Sequence, residues 1–161
     1  MIRDRFPAAA LIVLLLAPGT SFASVKVRFV NPERYTDAGA FDAGGRAATL
    51  AAFRAHLERL GARLLTPRQD LTIKILNVDL AGENEPWRLS DVRIMRDVTP
   101  PRITLSYVLA EKGKPTHSGE ETLTDINYQM NPSARLSSDR YAYEKALLDG
   151  WFRRVVGRQR P

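Results

Sequence analysis

Apolar and polar residues alternate along the first segment that can form a strand, residues 25–30. Apolar side chains share one face of this segment, and Lys26 and Arg28 share the other. The period then changes, because apolar residues recur at spacings of three and four over residues 46–60. This spacing predicts an amphipathic helix that ends at Gly61.

A second strand is predicted over residues 71–80, where apolar residues occupy both alternating phases. That pattern is typical of a strand covered on both faces, so we expect it at the centre of a sheet. Residues 91–98 predict a short strand before the Pro100–Pro101 pair. Beyond the prolines, residues 102–110 and 116–125 predict a hairpin joined by a polar turn.

The last apolar stripe predicts a helix from about Arg140 to Val156, with Ser138 or Asp139 as its cap. Residues 35–45 and 131–138 are predicted loops. The predicted order is β-α-β-β-β-β-α. It favours a single-domain, two-layer α+β sandwich, a mainly antiparallel sheet with two amphipathic helices on one face. A three-layer arrangement is the alternative, because the second strand is predicted to be covered on both faces.

The amino-terminal residues predict export. Arg3 and Arg5 precede a short apolar run, which Pro18 and Gly19 end, and small residues occupy the two positions that signal peptidase reads, Ser21 and Ala23. This is the pattern of a secretory signal peptide, residues 1–23, cleaved after Ala23. The run is too short to span a bilayer. We therefore expect a soluble periplasmic protein of residues 24–161 with a short basic tail, secretion into the medium being the alternative.

Composition narrows the partners of such a protein. The 161-residue chain has a formal net charge of +6 and no cysteine, which excludes disulfides and a thiolate nucleophile. After export, nucleic acid is not an expected partner. The available polyanions are instead cell-wall polymers, lipid head groups and acidic proteins. We expect the binding partner to be an anionic envelope component or an envelope protein. The alternative is that the arginines only keep the surface soluble and bind no partner.

The densest group of polar residues follows the second predicted strand. It comprises Asp79, Glu83, Glu85, Trp87 and Arg88. Paired carboxylates beside an aromatic residue could hydrolyse a glycoside or bind calcium, but the segment lacks a calcium-loop pattern. The alternative is a solvated acidic turn whose carboxylates pair with nearby arginines.

Three of those arginines, Arg93, Arg96 and Arg102, flank the double proline together with Asp97. Alternation places Arg93 and Arg102 on solvent-facing sides of their strands. They could pair with the acidic turn or present a cationic strip to a polymer.

Other chemistry is weakly represented. His56 and His117 are the only histidines and have no ligand-like neighbours in the sequence, so no metal and no cofactor is expected. Nucleophile motifs are absent as well. A further group near the last helix could contact carbohydrate or peptide, although core packing is the more ordinary role of such residues: Tyr128, Asn131, Tyr141 and Tyr143.

Several segments together resemble one bacterial family. The matching residues are 27–37, 78–83, 85–87, 91–97, 100–103, 143–149 and 151–152. They resemble the exported proteins grouped as domain of unknown function 3016. The resemblance covers nearly all of residues 24–161; it implies an exported α+β protein and carries no activity over.

Three functional hypotheses remain. The first is a non-enzymatic binding or accessory module for an envelope component, favoured by export and by the missing catalytic motifs. The second is a small envelope hydrolase that uses Asp79, Glu83 or Glu85 as acid and base. The third is a structural or homo-oligomeric protein whose exposed strand edge pairs with another chain.

Overall fold

The computed structural model describes residues 23–38, 43–84 and 93–157. The predicted signal peptide lies outside these residues except for Ala23, as do Glu85, Trp87 and Arg88. Within the described part of the chain, no helix has the length and hydropathy needed to cross a bilayer.

The elements follow one another along the chain in nearly the predicted order. They are β1 (Ser24–Phe29), α1 (Ala43–Leu64), β2 (Gln69–Asp79), β3 (Glu83–Asn84), β4 (Arg93–Ile94), β5 (Arg102–Glu111), β6 (His117–Thr124), α2 (Pro132–Arg135) and α3 (Ala142–Gly157). Short 3-10 turns lie at Pro32–Arg34 and Tyr128–Met130. The predicted loop before α3 thus contains a short helix, capped by the Asn131 side chain.

Four strands form the main sheet in the order β1-β2-β5-β6. β1 pairs with β2 in parallel, as a strand connected through a helix can, whereas β2–β5 and β5–β6 are antiparallel. The short strands β3 and β4 form a separate ladder beyond the end of β2. The α+β class is confirmed, and the sheet is mixed, with one parallel pairing among its three.

The helices cover the sheet face on which β5 presents its alternate apolar residues. Ile103, Leu105 and Leu109 on that face are fully buried. They join one hydrophobic cluster with residues of α1 and α3, including Phe53 and Phe152. The opposite face of the sheet carries half-buried or exposed residues, mostly polar, so the two-layer arrangement holds for the described residues.

A β-bulge explains the apolar residues in both phases of β2. The pairing with β5 shifts between Ile75 and Asn77. One extra residue reverses which side chains face the helices, so Ile73 and Ile75 before the bulge and Val78 after it are all buried in the same core. The inference that both faces of β2 are covered was wrong for this reason.

Gly61 does not end α1, which continues to Leu64. A Cβ added at Gly61 would lie 2.1 Å from Cγ2 of Val25. The glycine is therefore needed where α1 packs closely against β1, and its role is contact between elements. The prediction of a stop at Gly61 was wrong.

Candidate functional site

The end of β2 meets the segment that follows β1. The Asp37 N–H donates to the Val78 carbonyl at 2.9 Å, and Asp37 forms an isolated parallel bridge with Asp79. Two aspartates consequently lie side by side at the end of β2. Burial, and then the charge of Asp37, raise the pKa of Asp79, while Arg102 and Arg93 oppose that shift.

A tight turn at Gly82 leads from β2 into β3. Gly82 has a φ of 74°, and an added Cβ would lie 2.5 Å from the Ile94 carbonyl oxygen. Only glycine combines that backbone conformation with so close a neighbour. The missing Cβ lets the β4 backbone at Ile94 lie close to this turn, and the neighbouring Arg93 lies beside the end of β2.

Arg93 is the central cation of this region, with a side chain only 7% exposed. It pairs with Asp37, and its Nε donates to the Ala81 carbonyl at 2.8 Å. A longer contact of 3.3 Å joins Nη2 to the Gly82 carbonyl. Its buried Nη1 has no hydrogen-bond partner among the described residues. The prediction that alternation exposes Arg93 was wrong because β4 is only two residues long and folds inward.

Glu144, in the first turn of α3, approaches the same place from the helical layer. It is 2% exposed, and its Oε1 accepts the Ala81 N–H at 2.7 Å. Burial raises the pKa of Glu144, although the Ala81 N–H and the charge of Arg93 act in the opposite direction. We call Asp37, Asp79, Arg93 and Glu144 the charged corner.

Sequence reasoning named two of these four residues and missed Asp37 and Glu144. A signal for Glu144 existed, because it lies four residues before Leu148 and so shares the apolar stripe of α3. A carboxylate on a buried stripe requires a partner. Asp37 left no such signal, since its position depends on the pairing of its backbone with Val78.

The other predicted site residues are exposed or lie outside the described residues. Arg102 is exposed and is the register partner of Asp79 across β2 and β5. Glu83 and Arg96 form an exposed ion pair with Nη1 and Oε2 separated by 3.2 Å. Such a pair is worth at most about 1 kcal/mol and holds no ligand by itself. Glu85 and Trp87 lie outside the described residues.

A cavity of about 300 Å³ opens beside the charged corner. Arg93 lines it together with Arg135 of α2, with Ser137 and Arg140 from the segment before α3, and with Tyr143 in the first turn of α3. We call this space the arginine cavity. Asp139 also lines the cavity and pairs with Lys145. Partial burial raises the pKa of Asp139, but the hydrogen bonds from Lys145 and from the Tyr141 N–H outweigh burial and hold that pKa below its usual value. Three arginines line this one cavity, and arginine is a good partner for a carboxylate or phosphate.

The histidines and Tyr141 make contacts between elements of the fold. His56 Nε2 and Asp149 Oδ1 are 2.6 Å apart and join α1 to α3, while the His117 ring lies 6.0 Å from that of Tyr107. Tyr141 packs edge-on against Phe53, and its hydroxyl contacts Thr49 Oγ1 at 2.9 Å. Across residues 23–38, 43–84 and 93–157, no three His, Cys, Asp or Glu side chains are grouped so as to hold a metal ion.

Comparison with known families decides the relationship of this chain. The profile of DUF3016, described as a protein of unknown function, matches residues 23–154. The chain belongs to the DUF3016 family. No curated protein matches it. The DUF3016 match includes all four residues of the charged corner and the three arginines of the arginine cavity.

Proposed function

We propose that this DUF3016 protein is an exported, non-enzymatic binding or accessory module that engages an anionic group of an envelope component through the arginine cavity. One observation carries the proposal. Three arginines, Arg93, Arg135 and Arg140, line the same cavity. Arginine binds carboxylate and phosphate groups through paired N–H donors, and for this reason we propose an anionic ligand.

Export rests on the charged and apolar pattern of the leader. The family match starts at residue 23 and β1 starts at Ser24, next to the proposed cleavage point. Sequencing the amino end of the protein recovered from a periplasmic extract tests this part. We expect Ser24 as the first residue; an intact Met1 in the cytosolic fraction would contradict export.

Co-sedimentation with isolated cell envelopes tests binding. We expect the protein to pellet at low salt and to be released as salt rises, because the contacts involve exposed charges. Arg135→Gln combined with Arg140→Gln should prevent pelleting. Arg153→Gln is the single-charge control, since Arg153 is exposed on α3 and does not line the cavity. Equal pelleting of the double variant and the wild type would refute the arginine cavity as the binding site.

A hydrolase is the second candidate, favoured by the raised pKa of Asp79. A carboxyl group that stays protonated to a higher pH can act as a general acid. This alternative predicts release of soluble fragments from envelope polymers, lost in Asp79→Asn and reduced in Glu83→Gln or Glu85→Gln. Unchanged turnover in all three variants would eliminate the hydrolase.

A further inference from the structure

Large apolar side chains that are exposed to solvent concentrate in two segments of this protein. In the described part of the chain there are five, and four of them lie on the turn after β4 and on the segment between β6 and α3. The fifth, Val108, lies on the open face of the sheet. We call the four the exposed apolar set: Val98, Ile126, Met130 and Leu136.

The two segments that carry the exposed apolar set are held together. Tyr128 lies in the same short turn as Met130 and donates its hydroxyl to the Arg96 carbonyl at 2.7 Å, which fixes the turn that carries Val98. The Tyr128 ring also packs edge-on against that of Tyr143, with centroids 4.8 Å apart. Because Tyr143 lines the arginine cavity, both segments pack against the wall of that cavity.

Leu136 connects the exposed apolar set to the arginine cavity most directly. It is 89% exposed and lies between Arg135 and Ser137, which both line the cavity. Arg135 and Arg140 are themselves exposed. These two cationic side chains are therefore accessible to a partner that contacts Leu136.

The exposure of the four apolar side chains indicates what kind of partner they fit. Each is at least 73% exposed, so the four pack little against one another. The interfaces between proteins usually have a continuous apolar centre, which this arrangement lacks. Separate apolar side chains beside arginines instead match the surface of an anionic bilayer, where lipid phosphates lie directly above hydrocarbon.

The charges around the exposed apolar set are mixed. Asp97 and Asp125 precede Val98 and Ile126 directly in the sequence. These acidic residues weaken any long-range attraction to an anionic surface. Binding must therefore depend on apolar contacts and on short-range contacts of the arginines with phosphate.

We propose that the envelope component is a membrane of anionic phospholipid, to which this protein binds peripherally. The exposed apolar set enters the outer part of the hydrocarbon, and Arg135 and Arg140 hold a lipid phosphate at the arginine cavity. This inference rests on the proposed function, because it names the partner of the same site.

Co-sedimentation with lipid vesicles tests the inference on the protein recovered from the periplasmic extract. The probes are phosphatidylcholine vesicles with and without phosphatidylglycerol. We expect binding to be at least about tenfold stronger when phosphatidylglycerol is present, because two arginines contact its phosphate near the surface. Equal binding to both kinds of vesicle, or binding to neither, would overturn the inference.

Apolar variants locate the membrane contact. Met130→Ser combined with Leu136→Ser should lower the affinity for anionic vesicles at least about tenfold, because two large side chains lose their contact with hydrocarbon. Leu136→Phe keeps an apolar side chain and should retain binding. Val108→Ser is the control, because it removes an exposed apolar side chain from the open face of the sheet. Equal loss in the double variant and the control, or loss in neither, would contradict the placement.

Light scattering without lipid tests a second copy of this chain as the occupant. We expect the wild type to stay monomeric as its concentration rises. Self-association that disappears in the Met130→Ser and Leu136→Ser double variant would assign the exposed apolar set to a protein interface and would overturn the membrane inference.

Glycerol 3-phosphate separates this inference from the proposed function, because it carries the phosphate of a lipid head group without the acyl chains. Titration calorimetry should show equal binding to the wild type and the serine double variant, and loss of binding in Arg135→Gln with Arg140→Gln. If glycerol 3-phosphate binds through the two arginines but vesicles do not bind, the membrane inference fails and the anion-binding module stands. If neither glycerol 3-phosphate nor envelopes depend on the arginines, the proposed function fails as well.

Discussion

The apolar core between the sheet and α3 and two side chains of the charged corner, Arg93 and Glu144, are all buried, but burial has opposite energetic signs in the two regions. Leu105 and Phe152 are fully buried hydrocarbon, and such burial is favourable by about 25 cal/mol per Å². Arg93 and Glu144 are charged or titratable, and their burial costs free energy unless partners compensate it.

The difference indicates what each region contributes. The core accounts for stability by itself, because its strands and helices bury one continuous cluster. The charged corner would be no less stable with apolar residues of similar volume, yet it holds a buried ion pair and an unpartnered guanidinium nitrogen. Burial of these charged groups is therefore not explained by a gain in stability.

The largest effect is expected from truncating the core. Phe152→Ala should lower the free energy of unfolding by about 3–5 kcal/mol, because the removed ring leaves a cavity in a packed cluster. Denaturant titration measures the loss. A decrease below about 1 kcal/mol would mean that the core relaxes around the gap, which would weaken the contrast between the two regions.

Arg93→Met should cost about 3 kcal/mol, because it leaves Asp37 and two carbonyls of the Gly82 turn without their cation. The same denaturant titration applies. Arg153→Met, which changes an exposed arginine on α3, should stay within about 0.5 kcal/mol of the wild type. A neutral Arg93→Met would show that the corner is not held together by this cation.

Two glycines test close packing at the edge of the core. Gly61→Ala should destabilise by about 1–3 kcal/mol, because its Cβ would overlap Val25. Gly150→Ala should stabilise by up to about 1 kcal/mol, because alanine favours the helix and meets nothing there. Thermal unfolding of each variant measures the effect. A higher midpoint for Gly61→Ala than for Gly150→Ala would be inconsistent with the packing of α1 on β1.

The smallest effect concerns pH. Since burial raises the pKa of Glu144 above 4.5, the folded protein retains a proton that the unfolded chain releases. Stability should therefore fall as pH rises from 4.5 to the folded pKa and level off above it. Glu144→Gln should show a shallower fall between pH 4 and pH 8, with Asp79 retaining part of it. Identical pH profiles would exclude Glu144 as a source of the dependence.

Periodicity predicted the core well and the corner poorly. The strands of the hairpin and helix α3 lie within about two residues of their predicted bounds, because each buries a regular apolar stripe. The β2 bulge and the continuation of α1 past Gly61 depend on contacts between distant segments. The burial of the Arg93 side chain depends on its contacts with the Gly82 turn, which no local sequence pattern predicts.

The most direct test of the central claim is nitrogen-detected NMR of the arginine side chains during titration with acetate. If the charged corner completes an anion site, the guanidinium signals of Arg93 should shift and saturate together with those of Arg135 and Arg140, while those of Arg153 remain unchanged. Shifts confined to exposed arginines, with Arg93 unaffected at saturation, would contradict the account.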